Sequence, residues 1–192
     1  MAPGDVIDKT EQTDPRVHGG SMGYYDPDGM VLHHTGSYDE GGDEYWLTTY
    51  HSNPVSTNQL VHRDGTILQL VAQDVIAWHA GTSSLNGRSS CNAWCIGIEI
   101  CNAGDGERFT DEQYEAVALT VAYNCARFFI QDKDISSHKR VAAAAGRNDK
   151  YDPYGWDWSR MWTRVDQLRS SWPWSDVAPW WDNTSGSRVM ST

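Results

Sequence analysis

The order of the predicted secondary-structure elements permits an α/β fold, in which a single domain has a mixed central β-sheet with helices on both sides. The apolar run 30–34 ends in polar residues, which predicts a buried strand whose last side chains reach a sheet edge. Alternating isoleucines predict a central strand over 95–101. A Thr-Asp-Glu-Gln capping sequence precedes apolar residues at helical spacing, which predicts a long helix over 111–130.

The other predicted elements are shorter. An Asp-Gly pair between two apolar runs predicts a β-hairpin. A proline beyond a helical pattern indicates that the helix has ended. In chain order, we predict a helix over 43–51, hairpin strands at 59–62 and 66–70, a brief strand or turn at 135–138, a long loop to 158, and a final helix over 159–170.

The length of 192 residues suits one domain with a hydrophobic core better than two. Residues 1–28 are rich in Gly, Pro, Asp and Ser, and we predict an N-terminal arm that becomes ordered only near 22–25. The folded domain is then expected over 29–171. Residues 172–192 form a Trp-rich C-terminal tail, which either packs back on the domain or begins a linker.

The formal net charge of -11 argues against nucleic acid, or an anionic membrane surface, as the main partner, because both repel an acidic protein. The first 20 residues lack the pattern of a signal peptide, and no stretch has the apolar length of a membrane span. We therefore expect a monomer that is made in the cytoplasm and has no membrane partner. Ten tryptophans are many for this length; packing is their commoner use, and lining a sugar or peptide groove is the alternative.

The four cysteines include no CxxC pair, so the sequence indicates neither a structural zinc knuckle nor a thioredoxin-type redox site. We interpret all four as buried, small apolar residues. A disulfide between Cys91 and Cys95 is the open alternative.

Glu99 is a candidate functional residue because of its place in the predicted central strand. Three isoleucines of this strand point to one face, whereas Glu99 points to the other face, among small residues. A carboxylate there costs desolvation free energy unless a polar group meets it. Pairing with an arginine or a backbone amide is one explanation, and a catalytic role is the other.

The histidines are candidate metal ligands, because a catalytic zinc ion commonly takes three protein ligands and keeps a fourth position for water. His33 and His34 are adjacent in a predicted strand, so only one of them reaches a given site. Spacing alone does not decide which, and the chain has no HExxH helix.

Four segments, taken in order, resemble one family. They are 31–35 (VLHHT), 77–81 (AWHAG), 96–100 (IGIEI), and His138 followed by GR at 146–147 and KYDP at 150–153. This pattern resembles the type 2 N-acetylmuramoyl-L-alanine amidases, which include phage endolysins and the peptidoglycan recognition proteins, over about residues 29–160. The similarity to phage endolysin domains is the strongest, and the resemblance implies the mixed α/β fold described above.

The resemblance also implies roles for individual residues. His33, His138 and Asp152 correspond to the zinc ligands of the family. Glu99 corresponds to the general base, and Lys150 to a lysine that helps to hold the oxyanion of the tetrahedral intermediate. The residues expected near the substrate are Trp78 and His79.

Two departures from the family pattern leave alternatives open. The segment from His138 to Asp152 is longer than usual, so Asp149 competes with Asp152 as the third ligand; the register of the residues around Asp152 favours Asp152. Residues 56–58 (STN) stand where relatives carry Tyr-His or Ala-His, so any auxiliary role there is lost or is taken by Asn58 as a substrate-binding residue.

The function implied by the resemblance is zinc-dependent hydrolysis of the amide bond between N-acetylmuramic acid and L-alanine. The implied partners are the glycan strand and the stem peptide of bacterial peptidoglycan. We expect an endolysin that reaches the cell wall after holin-type release. The alternatives are a cytosolic amidase that recycles soluble muropeptides and a peptidoglycan-binding protein without activity.

Overall fold

The structure, a computed structural model, describes residues 5–23 and 27–171. In chain order its strands and α-helices are β1 (Val6–Asp8), β2 (His18–Ser21), β3 (Gly29–His34), α1 (Glu40–Thr48), β4 (Gln59–Val61), β5 (Ile67–Gln69), β6 (Val75–Ala77), β7 (Ser84–Leu85), β8 (Arg88–Ser89), β9 (Cys95–Ile100), α2 (Asp111–Phe128), β10 (Ile135–Ser137), α3 (His138–Ala144) and α4 (Trp158–Ser171).

A six-stranded sheet lies at the centre, with the strand order β1-β5-β4-β9-β3-β10. Strands β4 and β5 are antiparallel, and the other neighbours are parallel, so the predicted mixed sheet is confirmed. Strand β3 is buried along its whole length. In the register of β3 with β9, His33 lies opposite Glu99. Two residues that the resemblance assigns to the same site are therefore neighbours on adjacent strands.

The two faces of the sheet carry different helices. On one face, Ile96, Ile98 and Ile100 are fully buried in a core with residues of α2 and α4. On the other face, Val31 and Cys95 pack with Val141 of α3, and Leu47 of α1 belongs to a third apolar cluster. The predicted alternation of β9 and the helices on both sides of the sheet are both confirmed.

The predicted hairpin and long helix are confirmed, and both show the local features that predicted them. Strands β4 and β5 pair with Leu60 opposite Leu68, and Gly65 in the turn has a φ of 82°, which favours glycine. At the start of α2, Thr110 and Gln113 form the predicted capping box. The helix ends at Phe128 because Phe129 adopts the left-handed conformation, with a φ of 58°.

Helix α1 begins three residues before the predicted start and ends three residues before the predicted end. The Asp39 carboxylate accepts a hydrogen bond from the backbone N–H of Gly42 at 3.0 Å and caps the helix. Two glycines in the first turn lower the helix propensity and conceal this start in the sequence.

The predicted long loop from 138 to 158 is wrong in its first third, which is helix α3. The Ser137 hydroxyl accepts a hydrogen bond from the backbone N–H of Arg140 and caps the helix. The alanines that follow have the highest helix propensity of any residue. A run of alanines in the predicted loop therefore continues the helix that begins at His138.

The prediction of an N-terminal arm ordered only near 22–25 is also wrong for the described residues before it. Strand β1 adds to the edge of the central sheet, parallel to β5, and β2 pairs with β6. These strands are not evident from the composition of the segment, because their hydrogen-bond partners lie far along the chain. The division of the chain at residue 29 stays a prediction, and the tail 172–192 lies outside the described residues.

The four cysteines are buried thiols, as predicted, and no disulfide links Cys91 to Cys95. Among the helices of residues 5–23 and 27–171, none is both long and apolar enough to cross a membrane.

Candidate metal centre and cleft

The parallel strands β3, β9 and β10 end at the same edge of the sheet, where ligand sites of α/β folds commonly lie. His33 is the fifth residue of β3, and Glu99 lies beside it on β9. His138 follows β10 directly as the first residue of α3. The loop after α3 brings Asp152 back, and its backbone carbonyl accepts a hydrogen bond from the N–H of Lys139 at 3.0 Å.

Two imidazoles and one carboxylate converge at this edge. His33, His138 and Asp152 each offer a donor atom within 4.8 Å of the other two. The Oδ2 atom of Asp152 lies 3.2 Å from Nδ1 of His33 and 3.0 Å from Nδ1 of His138. Neighbouring donors on a tetrahedral zinc ion with bonds of about 2.0–2.1 Å are about 3.3 Å apart. The residues present therefore fit a zinc ion, both in donor type and in spacing.

The electrostatics of His33 and Asp152 favour metal binding at neutral pH. Burial, above all, lowers the pKa of His33 to about 4, so that its imidazole is neutral. Burial would raise the pKa of Asp152, but the imidazoles of His138 and His33 beside the carboxylate outweigh it and lower that pKa below its usual range. A neutral imidazole and an ionised carboxylate are the forms that bind a metal without first losing a proton.

The structure decides between the two candidate aspartates. Asp149 is exposed and forms an ion pair with Arg147, with a distance of 2.6 Å between Oδ2 and the guanidinium. Asp152 contacts both histidines and is mostly buried. Of the two, Asp152 is thus the one whose carboxylate the fold brings to the histidines.

Glu99 lies beside the metal-binding residues and forms no hydrogen bond through its carboxylate among the described residues. Its Oε1 atom is 3.9 Å from Nδ1 of His33, and its Oε2 atom is buried and accepts no hydrogen bond there. Burial first, and then the negative charges of Asp152 and Asp43, raise the pKa of Glu99 well above its usual range. A buried carboxyl group with a raised pKa beside metal-binding residues is a candidate for proton transfer. The structural alternative, in which Glu99 pairs with an arginine or a backbone amide, does not fit these contacts.

An open cleft of about 410 Å³ lies over these residues. Lys150 and Trp78 both line this cleft, and their roles toward a substrate stay predictions. The backbone N–H of Trp78 donates to the hydroxyl of Ser56 at 2.9 Å, which holds the loop that carries the indole.

The other two residues that we predicted near the substrate have internal contacts instead. Asn58 is fully buried; its amide nitrogen donates to the carbonyls of Ala72 and Val75, and its amide oxygen accepts from the N–H of Gly97. Asn58 therefore links neighbouring backbone segments and cannot reach a substrate, so its predicted role as a substrate-binding residue is wrong. His79 borders the cleft but is 8% exposed, and both of its ring nitrogens contact the protein.

Sequence reasoning missed two residues of the cleft. Asp43 on α1 lines the cleft, and its negative charge helps to raise the pKa of Glu99. Its Oδ2 atom is buried and has no hydrogen-bond partner among the described residues. Trp46, one turn of helix further on, is 51% exposed and stacks on His51 with a centroid distance of 3.9 Å. The high tryptophan content was the only signal for a groove, and it does not single out Trp46.

The comparisons with known proteins agree with this geometry. Residues 23–155 match the family model Amidase_2, described as N-acetylmuramoyl-L-alanine amidase. The chain is 35% identical over 128 residues to the 1,6-anhydro-N-acetylmuramyl-L-alanine amidase AmpD of Citrobacter freundii, a match that covers 66% of this chain and 65% of AmpD. The chain thus spans somewhat less than two thirds of the length of this relative.

Two solved structures share the fold. The crystal structure of a selenomethionine derivative of AmpD is 28% identical, with a TM-score of 0.69, and the match covers 86% of this chain and 96% of that chain. A complex of the Escherichia coli amidase AmiD with anhydro-N-acetylmuramic acid-L-Ala-D-gamma-Glu-L-Lys is 28% identical, with a TM-score of 0.61 and coverage of 72% and 58%. The chain belongs to the Amidase_2 family of N-acetylmuramoyl-L-alanine amidases.

Proposed function

We propose that this protein is a zinc-dependent amidase that cleaves the bond between the lactyl group of N-acetylmuramic acid and L-alanine of the stem peptide. One observation carries the proposal: the carboxylate of Glu99, whose buried Oε2 atom accepts no hydrogen bond among the described residues, lies beside a set of two histidines and one aspartate that fits zinc. Family membership supports the choice of bond.

The residues divide the chemistry of amide hydrolysis among them. When bound, zinc supplies a Lewis acid that makes water a nucleophile at neutral pH. Glu99 takes the proton from the attacking water and passes it to the nitrogen of L-alanine, which leaves as an amine. Lys150, a cation on the cleft wall, stabilises the negative charge that develops on the carbonyl oxygen. The exposed indole of Trp46 offers an apolar surface at the rim of the same cleft.

A peptidoglycan-binding protein without activity is a weaker candidate. A pure binding site has no need for a carboxyl group whose pKa is raised by burial next to metal-binding residues. Here Glu99 and Lys150 line the same cleft as His138 and Asp152, which supports a reaction site.

The physical form of the substrate is a separate part of the proposal. The sequence resemblance favoured an endolysin that degrades intact cell walls after holin-type release. A second candidate, an amidase that acts on soluble 1,6-anhydro-muropeptides, is supported by the similarity to AmpD, whose name specifies that substrate, and to AmiD, whose complex holds one. We further propose a monomer without nucleic-acid or membrane partners, which the net charge of -11 supports.

The test is mass spectrometry of two substrates, purified cell walls and a soluble anhydro-muropeptide, after incubation with zinc-loaded protein. Release of stem peptides with a free L-alanine amino group from either substrate supports the amidase. Release from walls supports the endolysin, and release from the soluble fragment alone supports the recycling role. A Glu99→Gln protein is the control for contaminating hydrolases. A zinc-loaded protein that cleaves neither substrate would contradict the proposal.

A further inference from the structure

A chain of hydrogen bonds runs from the backbone to the buried histidine of the metal site. Nε2 of His79 lies 3.1 Å from the carbonyl oxygen of Cys95. Nδ1 of the same ring lies 2.9 Å from Nε2 of His33. The two imidazoles meet edge to face, at an interplanar angle of 83°, and both residues are buried. His79 thus lies between the start of β9 and the ring of His33.

The first link determines the direction of the second. A carbonyl oxygen only accepts hydrogen bonds, so Nε2 of His79 must carry the hydrogen. A neutral imidazole has one N–H, and burial disfavours a second proton on this ring. Nδ1 of His79 is then an acceptor, and Nε2 of His33 must donate to it. With His33 neutral, its Nδ1 is then left without a hydrogen, and this atom lies 3.2 Å from the carboxylate of Asp152. Two acceptors at this distance repel each other unless a cation lies between them, so this tautomer belongs to the metal-bound chain.

We propose that His79 is a positioning residue that holds His33 in its Nε2–H tautomer, with Nδ1 bare and aimed at the metal. The inference rests on the metal site of the proposed function but not on the identity of the substrate. A hydrogen-bond partner on the far nitrogen of a metal-binding histidine sets the tautomer and orientation of the ring. In this protein the partner is a second histidine, which transmits the polarity of a backbone carbonyl.

The surroundings of His79 hold its ring in this place. The backbone N–H groups of His79 and Ala80 both donate to the side-chain oxygen of Asn92, at 3.2 and 2.7 Å. The ring lies against the backbone of Gly97, where an added Cβ would come within 2.5 Å of Cγ of His79. Glycine at 97 is therefore required for the ring to lie where it does.

The first experiment uses the unmodified full chain loaded with zinc. Nitrogen-15 NMR distinguishes ring nitrogens that carry a hydrogen from bare ones. We expect His33 and His79 each to carry a hydrogen on Nε2 at neutral pH, with Nδ1 of His33 bound to zinc and Nδ1 of His79 bare. A hydrogen on Nδ1 of His79, or zinc bound through Nε2 of His33, would overturn the proposal, whether or not the protein proves to be an amidase.

The second experiment measures zinc affinity by chelator competition in three variants. His79→Leu removes the acceptor for His33, and we expect zinc to bind about 10- to 100-fold more weakly. His79→Asn keeps an acceptor near the position of Nδ1, so its affinity should lie closer to that of the unmodified protein. Gly97→Ala changes no polar group but displaces the ring, and should weaken zinc binding as well.

The thermal stability of each metal-free variant separates positioning from a structural role. A structural role alone predicts that the Leu and Asn variants lose stability while binding zinc equally well. Zinc affinity in His79→Leu equal to that of the unmodified protein would contradict the proposal. If that variant does not fold, the tautomer measured in the unmodified chain decides.

Discussion

The two faces of strand β9 differ in how completely their side chains are satisfied. On one face, three isoleucines are fully buried against α2 and α4. On the other, Gly97 makes room for His79, and Glu99 keeps a buried oxygen without a partner among the described residues. The isoleucine face stabilises the fold, whereas burial of the Glu99 carboxylate on the other face costs free energy of folding. Substitutions on the isoleucine face should therefore leave the candidate site largely intact. Substitutions on the Glu99 face should leave the stability of the fold largely intact.

The largest expected effect is the loss of a metal-binding residue. Asp152→Ala removes the only anionic donor of the set, so the protein should lose its zinc. Amide hydrolysis should then fall by about 1000-fold or more, since zinc supplies several kcal/mol of transition-state stabilisation. Metal analysis and the peptide-release assay measure both effects. Asp149→Ala is the matched control and should keep its full zinc content. Retention of stoichiometric zinc by Asp152→Ala would show that Asp152 is not a required ligand.

Glu99→Gln should separate chemistry from metal binding. Loss of the proton-transferring group should reduce the rate about 100- to 10,000-fold. Zinc content should stay the same because Glu99 is not one of the three donors. The melting temperature should stay the same or rise, since a buried carboxylate is removed. Rates and zinc content measured on one preparation test this, and a variant that hydrolyses at the original rate would exclude Glu99 as the base.

The metal-free protein should lose stability as the pH falls from 6.5 to about 4. The pKa of His33 is lowered to about 4 by burial, so the unfolded chain binds a proton in this range that the folded chain does not. Protonation of the unfolded state lowers the free energy of unfolding, by on the order of 3 kcal/mol across the window. Urea titrations at several pH values measure this. The free energy of unfolding should depend less strongly on pH in His33→Gln. An unchanged pH dependence would mean that other groups cause it.

The smallest effect should come from the apolar face. Ile98→Val removes one methyl group from a fully buried site and should cost about 0.5–1.5 kcal/mol in the free energy of unfolding. Zinc affinity should not change, because Ile98 points away from the metal-binding residues. Chemical denaturation together with chelator competition tests both parts. A weakened zinc site in this variant would mean that the two faces are coupled through the strand.

Local signals made several elements predictable from the sequence. The capping box at Thr110, the Asp-Gly turn at Gly65 and the alternation of β9 depend on residues a few positions apart, and all three are confirmed. Helix α3 and strand β1 were not predicted. The pairing of β1 with β5 joins residues about sixty positions apart, and no local pattern reports such a contact.

For the site, the sequence by itself determined which residue types are available, and the family motifs brought forward His33, His138, Asp152 and Glu99. Only the tertiary structure decided that Asp152 rather than Asp149 joins the histidines, because the choice depends on how the loop returns after α3. The fold likewise decided that Asn58 is internal and that His79 contacts His33. The direction of a hydrogen bond and the burial of a charge are properties of neighbours in space, and a linear pattern contains neither.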